Sequence, residues 1–184
     1  MAPGDSEKLV FEQAVEGLFV RALAKKMTLR CLDRLTQAGI NLNKPLLPAY
    51  PAETWFRAQV IAAEELFSGD SINLAMRRLG EQFVEGFRET LMGRAVLALL
   101  KVIGPKAGLT RAARNFRSAN NYTESRLTEL TPTSFELWMN ESGPNPYFYL
   151  GVITGGLRAA GVAEPIVEVG EFDGHACTYR VTWR

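Results

Sequence analysis

The chain has 184 residues, of which 47% are hydrophobic and 22% charged, a composition typical of a globular protein and too apolar for a disordered one. Its 21 basic and 20 acidic residues leave a net charge of +1, which argues against a dedicated nucleic-acid-binding protein, because such proteins carry a basic excess. One histidine and two cysteines argue against a metal site built from these residues.

Helical periodicity dominates the N-terminal part of the chain. Apolar residues between Leu9 and Met27 recur at the spacing of one helix face, which predicts a first helix. Thr28 is a plausible N-cap for a second, short helix that ends at Gly39. Three prolines and two asparagines predict a loop over residues 40–51.

Two longer helices follow this loop. The pattern predicts a helix over 52–67 and another over about 72–92, separated by a serine- and glycine-rich stop. Gly80 and Gly86 lie inside the second of these, where a glycine costs about 1 kcal/mol relative to alanine. We interpret both as places where another helix packs closely.

A further apolar helix is predicted over 94–102, where Gly104-Pro105 breaks it, and a last short helical piece is predicted over 109–116. These segments complete a mainly helical part that covers residues 9–117.

The periodicity then changes to that of strands. A first hairpin is predicted from Tyr122–Leu130 and Ser134–Glu141, and a second from Ile166–Phe172 and His175–Trp183 around an Asp-Gly turn. A helix over Tyr147–Ala160 separates the hairpins, and we expect its glycines to pack against the sheet.

This order of elements predicts an α+β fold. An N-terminal helical layer would pack on a small four-stranded antiparallel sheet, made of two C-terminal hairpins separated by a helix. The helical part over 9–117 and the strand-strand-helix-strand-strand part over 122–184 are expected to form a single domain over residues 1–184, because domains commonly have roughly 100–200 residues.

Nothing in the sequence indicates export or membrane insertion. The first eight residues have no basic and apolar regions typical of a signal peptide, and no apolar run approaches ~18 residues. Two cysteines fit a reducing compartment. We therefore expect a cytoplasmic protein with no membrane span.

Three segments resemble the small core subunits of the TRAPP tethering complex. Arg78–Phe87 resembles their long helix, Pro146–Leu157 the helix before their last hairpin, and Cys177–Trp183 their final strand. The resemblance implies a TRAPP-subunit-like fold, which vinyl-reductase-type ligand-binding domains and haem-nitric-oxide-binding sensor domains share. It also implies that the protein works through contacts with other proteins.

Nearly the whole chain also resembles a myxobacterial family of unknown function that occurs as many paralogues per genome. The motifs that carry this resemblance are spread along the sequence: Glu16–Phe19, Tyr50-Pro51, Leu79-Gly80, Gly93-Arg94, Gly104-Pro105 and Tyr179–Trp183. This resemblance implies no activity.

The chain departs from the haem-binding relatives in two respects. They need a proximal histidine on a helix, whereas the single histidine here, His175, falls in a predicted hairpin. They also carry a Tyr-x-Ser-x-Arg motif, and the corresponding segment here, Tyr122–Arg126, has its serine one place late. We therefore expect no haem, and no cofactor of any other kind is indicated.

No catalytic constellation is recognisable. His175 and Cys177 are two residues apart on a predicted strand, so their side chains share a face, with Cα atoms about 7 Å apart. The flanking pattern favours a small buried thiol at Cys177 rather than an activated nucleophile. We expect a protein without catalytic residues.

Charge is unevenly distributed along the sequence. Residues 94–126 contain seven basic residues and one acidic residue, whereas residues 127–184 contain seven acidic and three basic residues. Arg111, Arg114 and Arg117 would line one side of a helix end, which suits an acidic protein surface or a phosphate. A merely solvated basic helix explains the same pattern.

Five large side chains are candidates for a ligand pocket between the helices and the sheet. They are Phe83, Phe87, Leu91, Trp138 and Tyr149. An ordinary packed core explains the same helix-period pattern.

Two hypotheses for function follow. The first is a non-enzymatic interaction or regulatory module that binds a protein partner or associates with itself, as a dimer. The alternative is a sensor domain that binds a small apolar molecule between helices and sheet.

Overall fold

A computed structural model of the protein describes residues 7–89 and 91–184, and all side chains within these ranges except those of residues 91–93 and 114–116. The N-terminal part of the chain is mainly helical, and the C-terminal part contains a four-stranded sheet. None of the helices in the described ranges is long and apolar enough to cross a membrane.

The N-terminal segment differs from the single helix predicted over 9–27. Strand β1 (Leu9–Phe11) comes first, followed by a short helix α1 (Glu12–Val15), a π-helical segment (Glu16–Ala22) and a 3-10 turn (Ala24–Lys26). Residues 9–11 are extended because they pair with a strand about 40 residues away in sequence, a tertiary contact that helical periodicity does not report.

That partner strand, β2 (Ala49–Pro51), lies at the end of the predicted loop and runs antiparallel to β1. Between the two strands lies helix α2 (Leu29–Gln37), close to its predicted bounds. The hydroxyl oxygen of Thr28 accepts a hydrogen bond from the backbone N–H of Cys31 at 3.2 Å, as expected of an N-cap. Residue Gly39 follows the helix with φ 105°, a conformation that favours glycine.

Three helices then build the helical layer. They are α3 (Ala52–Leu66), α4 (Ile72–Glu89) and α5 (Leu91–Asn115). The two pieces predicted over 94–102 and 109–116 belong to α5, which is kinked at Gly104, where φ is 80° and ψ is 171°. Pro105 follows the kink, and a 3-10 turn (Phe116–Ser118) comes after α5.

Four strands and one helix form the C-terminal part. The strands are β3 (Ser125–Thr131), β4 (Ser134–Met139), β5 (Ile166–Phe172) and β6 (Cys177–Thr182), and helix α6 (Tyr147–Ala159) connects the two hairpins. All neighbours in the sheet are antiparallel, in the order β3-β4-β6-β5, so the inner hairpin strands β4 and β6 pair with each other. This arrangement confirms the predicted α+β fold class.

One face of the sheet belongs to the core. Along β4, Phe135, Leu137 and Met139 are buried, and the residues between them are half-buried. Along β6, Tyr179 and Val181 are likewise buried, and Tyr179 pairs with Leu137. An antiparallel sheet commonly has one packed face and one solvated face, and the alternation in the sequence reports which is which.

Helices α4 and α6 pack closely on each other and on the π-helical segment. A Cβ atom added to Gly86 of α4 would lie 2.6 Å from the backbone nitrogen of Ala22, and one added to Gly155 of α6 would lie 3.1 Å from the side chain of Val84. The interpretation of the α4 glycines as sites of close packing is confirmed. The expectation that the α6 glycines face the sheet is wrong for Gly151 and Gly155, because both face α4.

Candidate ligand cavity

An apolar cavity of about 170 Å³ lies where α4, α5, α6 and β4 meet. Helix α4 contributes Phe83, Val84 and Phe87 to its wall, and Leu137 of β4 lies at its base. Phe83 and Phe87 are four residues apart, so both rings lie on the same face of α4.

Helices α5 and α6 close the cavity on the other sides. Both halves of α5 take part, through Leu97 before the kink and Leu109 after it. From α6, Ile153 and Leu157 line the wall one turn apart. The kink at Gly104 therefore shapes this site, because residues on both sides of it face the same space.

The chemistry of the wall is uniform. No described lining residue has a charged or hydrogen-bonding side chain. An engineered cavity of about 150 Å³ with a comparable wall stays dry and binds benzene or xenon. The site is therefore suited to an apolar group of about that size.

Two of the five candidate pocket residues line the cavity. They are Phe83 and Phe87. The side chain of Leu91 lies outside the described part of the chain. Trp138 and Tyr149 are not brought to this cavity, which corrects the set chosen from the sequence.

Trp138 lies on the outer face of the sheet. Its neighbours in β4, Leu137 and Met139, are buried on the inner face. The guanidinium carbon of Arg126 lies 4.8 Å from the centre of the Trp138 ring, in a cation–π contact across the β3–β4 pair. The alternation along β4 already contained this signal, because Trp138 is out of phase with the buried residues.

Tyr149 belongs to an aromatic cluster in the core. Its ring packs edge-to-face on Phe148, with centroids 5.6 Å apart, and Phe148 in turn packs on Trp55. Burial raises the pKa of the Tyr149 hydroxyl to about 12. Its role is therefore to fill the core on the other side of Phe148.

The predicted basic surface is only partly described. Arg111 and Arg117 are exposed, and a nitrogen of Arg117 lies 3.9 Å from a carboxylate oxygen of Glu124. The side chain of Arg114 lies outside the described residues. The structure therefore gives no arrangement of three arginines from which an anion site could be argued.

His175 and Cys177 do not form a catalytic pair. Cys177 is buried, and this burial raises the pKa of its thiol. His175 is exposed, and its Nδ1 lies 3.6 Å from the Glu141 carboxylate, which also accepts a hydrogen bond from Lys8 Nζ at 2.7 Å. Among the described residues, no group of three or more histidine, cysteine or acidic side chains is placed to hold a metal ion.

Solved structures of H-NOX domains share this fold. An Fe(II) unliganded H-NOX mutant from K. algicida has a TM-score of 0.63 at 18% identity, over 91% of this chain and 95% of that one. An oxygen-binding H-NOX domain related to soluble guanylate cyclases has a TM-score of 0.58 at 17% identity, over 92% and 93% of the two chains. A structure concerned with H-NOX activation has a TM-score of 0.62 at 17% identity, over 95% and 96%.

The chain therefore has the α+β fold of these H-NOX domains, as the resemblance to haem-nitric-oxide-binding domains predicted. The chain belongs to the family described as "Protein of unknown function (DUF2378)", whose model matches residues 8–184. No curated protein matches it. The resemblances to TRAPP subunits and to a myxobacterial family stay predictions.

Haem does not fit the residues present. No described lining residue of the cavity is a histidine, cysteine, tyrosine or methionine, so none could ligate iron, and 170 Å³ is too small for a porphyrin. Within the segment compared with Tyr-x-Ser-x-Arg, the Ser125 hydroxyl donates to the backbone carbonyl of Ala113, and Arg126 stacks on Trp138. The side chains of Ser125 and Arg126 therefore make their contacts outside the cavity.

Proposed function

We propose that this protein is a sensor domain that binds a small ligand whose apolar body occupies the cavity between α4, α5, α6 and β4. The observation that carries the proposal is the cavity itself, an apolar space of about 170 Å³ between three helices and the sheet. Protein interiors are close-packed, so a space of this size is unusual unless a molecule occupies it.

The fold supports the same role. The H-NOX proteins with this fold include an oxygen-binding domain and a protein that distorts its porphyrin. The cavity of the present chain is too small for a porphyrin, and none of its described lining residues could ligate iron, so the sensed molecule is a different one. We propose no catalytic role for the site, because its wall offers no acid, base or nucleophile.

These observations favour the sensor hypothesis over the interaction-module hypothesis. Self-association as a dimer stays a prediction, and a sensor domain is compatible with it.

The direct test is stabilisation by ethylbenzene. At a concentration ten times its Kd, a ligand of the folded state adds about 1.4 kcal/mol. For a chain of this length that corresponds to a rise in Tm of about 3–6 °C. We expect such a rise for the wild type. No rise, together with no change in the methyl NMR signals of the wall, would overturn the proposal.

A variant that fills the cavity provides the control. Gly156 lines the cavity, and a Cβ added to it would have no atom within 4 Å, so Gly156→Leu places a side chain into open space. We expect this variant to fold and to lose the response to ethylbenzene. Ala107→Leu places the same side chain at an exposed position of α5 and should retain the response.

Native mass spectrometry of the freshly purified protein gives a second test. A mass excess that disappears under denaturing conditions identifies a ligand carried from the cell. The same spectra report whether the protein is a dimer.

A further inference from the structure

A groove with charged walls lies directly beside the cavity. It has a volume of about 470 Å³ and is formed by α4, the first half of α5 and the C-terminal half of α6. Its walls combine apolar residues with four basic and two acidic side chains. The groove therefore has an excess of positive charge.

The groove and the cavity adjoin. Val84 and Leu97 line both spaces. On α6, Gly155 lines the groove and the next residue, Gly156, lines the cavity. The two spaces therefore meet along these residues of α4, α5 and α6.

Two of the four basic groups are neutralised locally. Arg158 lies 3.3 Å from the carboxylate of Glu81, and Arg88 lies 3.6 Å from that of Glu85. Arg77, outside the groove, also pairs with Glu81 at 3.3 Å. Both acidic groups of the groove are consequently engaged.

The other two basic groups are different. Neither Arg94 nor Lys101 has a carboxylate within ion-pair distance among the described residues. They are seven residues apart on α5, so they lie on one face of the helix, about 10 Å apart along its axis. Leu97 lies between them on that face. Two cations without an ion-pair partner among the described residues therefore flank a residue that lines both the groove and the cavity.

We infer that the ligand is a small amphipathic anion, with its apolar body in the cavity and a carboxylate in the groove beside Arg94 and Lys101. This inference rests on the proposed function and names the ligand class. An arginine and a lysine that lack an ion-pair partner within the described residues suit a carboxylate, which arginine binds through two parallel hydrogen bonds. A neutral ligand would make no use of the two charges.

The test compares two probes of equal shape. We expect the wild type to bind 3-phenylpropionate about tenfold more tightly than the neutral 3-phenylpropanamide in isothermal titration at low salt, because each exposed cation contributes modestly. At 1 M salt the preference should largely disappear, since exposed charges are screened there. In Arg94→Gln/Lys101→Gln the affinity for the carboxylate should fall to that for the amide, whose own affinity stays unchanged.

A double variant on the same helix controls for net charge. Lys106→Gln/Arg111→Gln removes the same two charges from α5 outside the groove, and the preference for the carboxylate should persist. Equal loss of preference in both double variants would overturn the anion inference.

The remaining outcomes separate the two proposals. Equal binding of both probes to the wild type would overturn the anion inference and leave the cavity as a ligand site. Binding of neither probe, with no response to ethylbenzene, would overturn the proposed function and this inference with it.

Discussion

Gly80 and Gly151 bring the backbones of α4 and α6 into contact. A Cβ atom added to Gly80 would lie 2.0 Å from the carbonyl oxygen of Phe148, and one added to Gly151 would lie 2.0 Å from the carbonyl oxygen of Arg77. At each glycine, the absence of a side chain therefore lets the backbone of the other helix approach closely. Because α4 and α6 both line the cavity, this contact helps to fix its dimensions.

Alanine at either position is expected to destabilise the protein. Helix propensity alone would favour Gly80→Ala and Gly151→Ala by about 1 kcal/mol each. A Cβ 2.0 Å from a backbone atom forces the helices apart, however, and overpacking commonly costs about 1–3 kcal/mol. Urea unfolding should show a net loss for both variants and a gain of up to about 1 kcal/mol for the control Gly156→Ala. Stabilisation by Gly80→Ala would contradict the helix contact.

The kink of α5 provides a second prediction. Gly104 has a φ of 80°, and a Cβ there would have no atom within 4 Å, so the cost of Gly104→Ala comes from the backbone conformation alone. With ψ at 171°, this conformation is one that essentially only glycine adopts, and we expect a loss of about 1–3 kcal/mol in the free energy of unfolding. The variant should also weaken ethylbenzene binding, because residues on both sides of the kink line the cavity. Unchanged stability and binding would show that α5 accommodates a straight helix here.

The turn between β5 and β6 predicts that the stability of the protein depends on pH. The Asp173 carboxylate accepts hydrogen bonds from the backbone N–H groups of His175 and Ala176 at 2.9 and 2.8 Å, and these bonds lower its pKa. The folded state thus keeps the group ionised at lower pH than the unfolded chain does. Its contribution to stability is complete above the unfolded pKa of about 3.9 and is lost as pH falls through the lower folded pKa.

Asp173→Asn isolates this charge, since the amide oxygen of asparagine still accepts a hydrogen bond. Urea midpoints should show the variant less stable than the wild type near neutral pH, with the difference closing under acidic conditions around pH 2. If the variant and the wild type differed in stability by the same amount at both pH values, the pKa of the carboxylate would not differ between the folded and the unfolded state.

Both thiols are expected to be unreactive in the native protein. Cys31 and Cys177 are buried, and burial raises the pKa of each thiol, so little thiolate is present at neutral pH. Reaction with a disulfide reagent should be more than about a hundredfold slower in the folded protein than in urea. Rapid modification of one equivalent in native buffer would point to an opening near that cysteine.

Local sequence signals predicted much of the secondary structure. The ends of helix α2 were predictable from single residues. Thr28 has a side chain that can cap the start of a helix, and Gly39 has the conformational freedom that the end of a helix requires. The β5–β6 turn was recognisable from Asp173, whose side chain bonds to the backbone of the turn. In each case a residue acts on neighbours a few positions away, so the sequence contains the whole interaction.

The candidate site was only partly predictable. Phe83 and Phe87 share a helix face, which the spacing shows, but the spacing does not say that this face borders a cavity. Tyr149 also belongs to an apolar helix and packs against Phe148 instead.

The sequence by itself determined the order of the elements from α3 onward, the α+β class and the absence of a helical histidine, because periodicity, turn chemistry and composition are local properties. Tertiary structure decided that residues 9–11 form a strand, that Gly80 and Gly151 each contact the backbone of the other helix, and that α5 leaves a space beside Leu137. These features depend on surfaces that are distant in sequence and meet only when the chain folds, and a cavity is the volume that such surfaces leave unfilled.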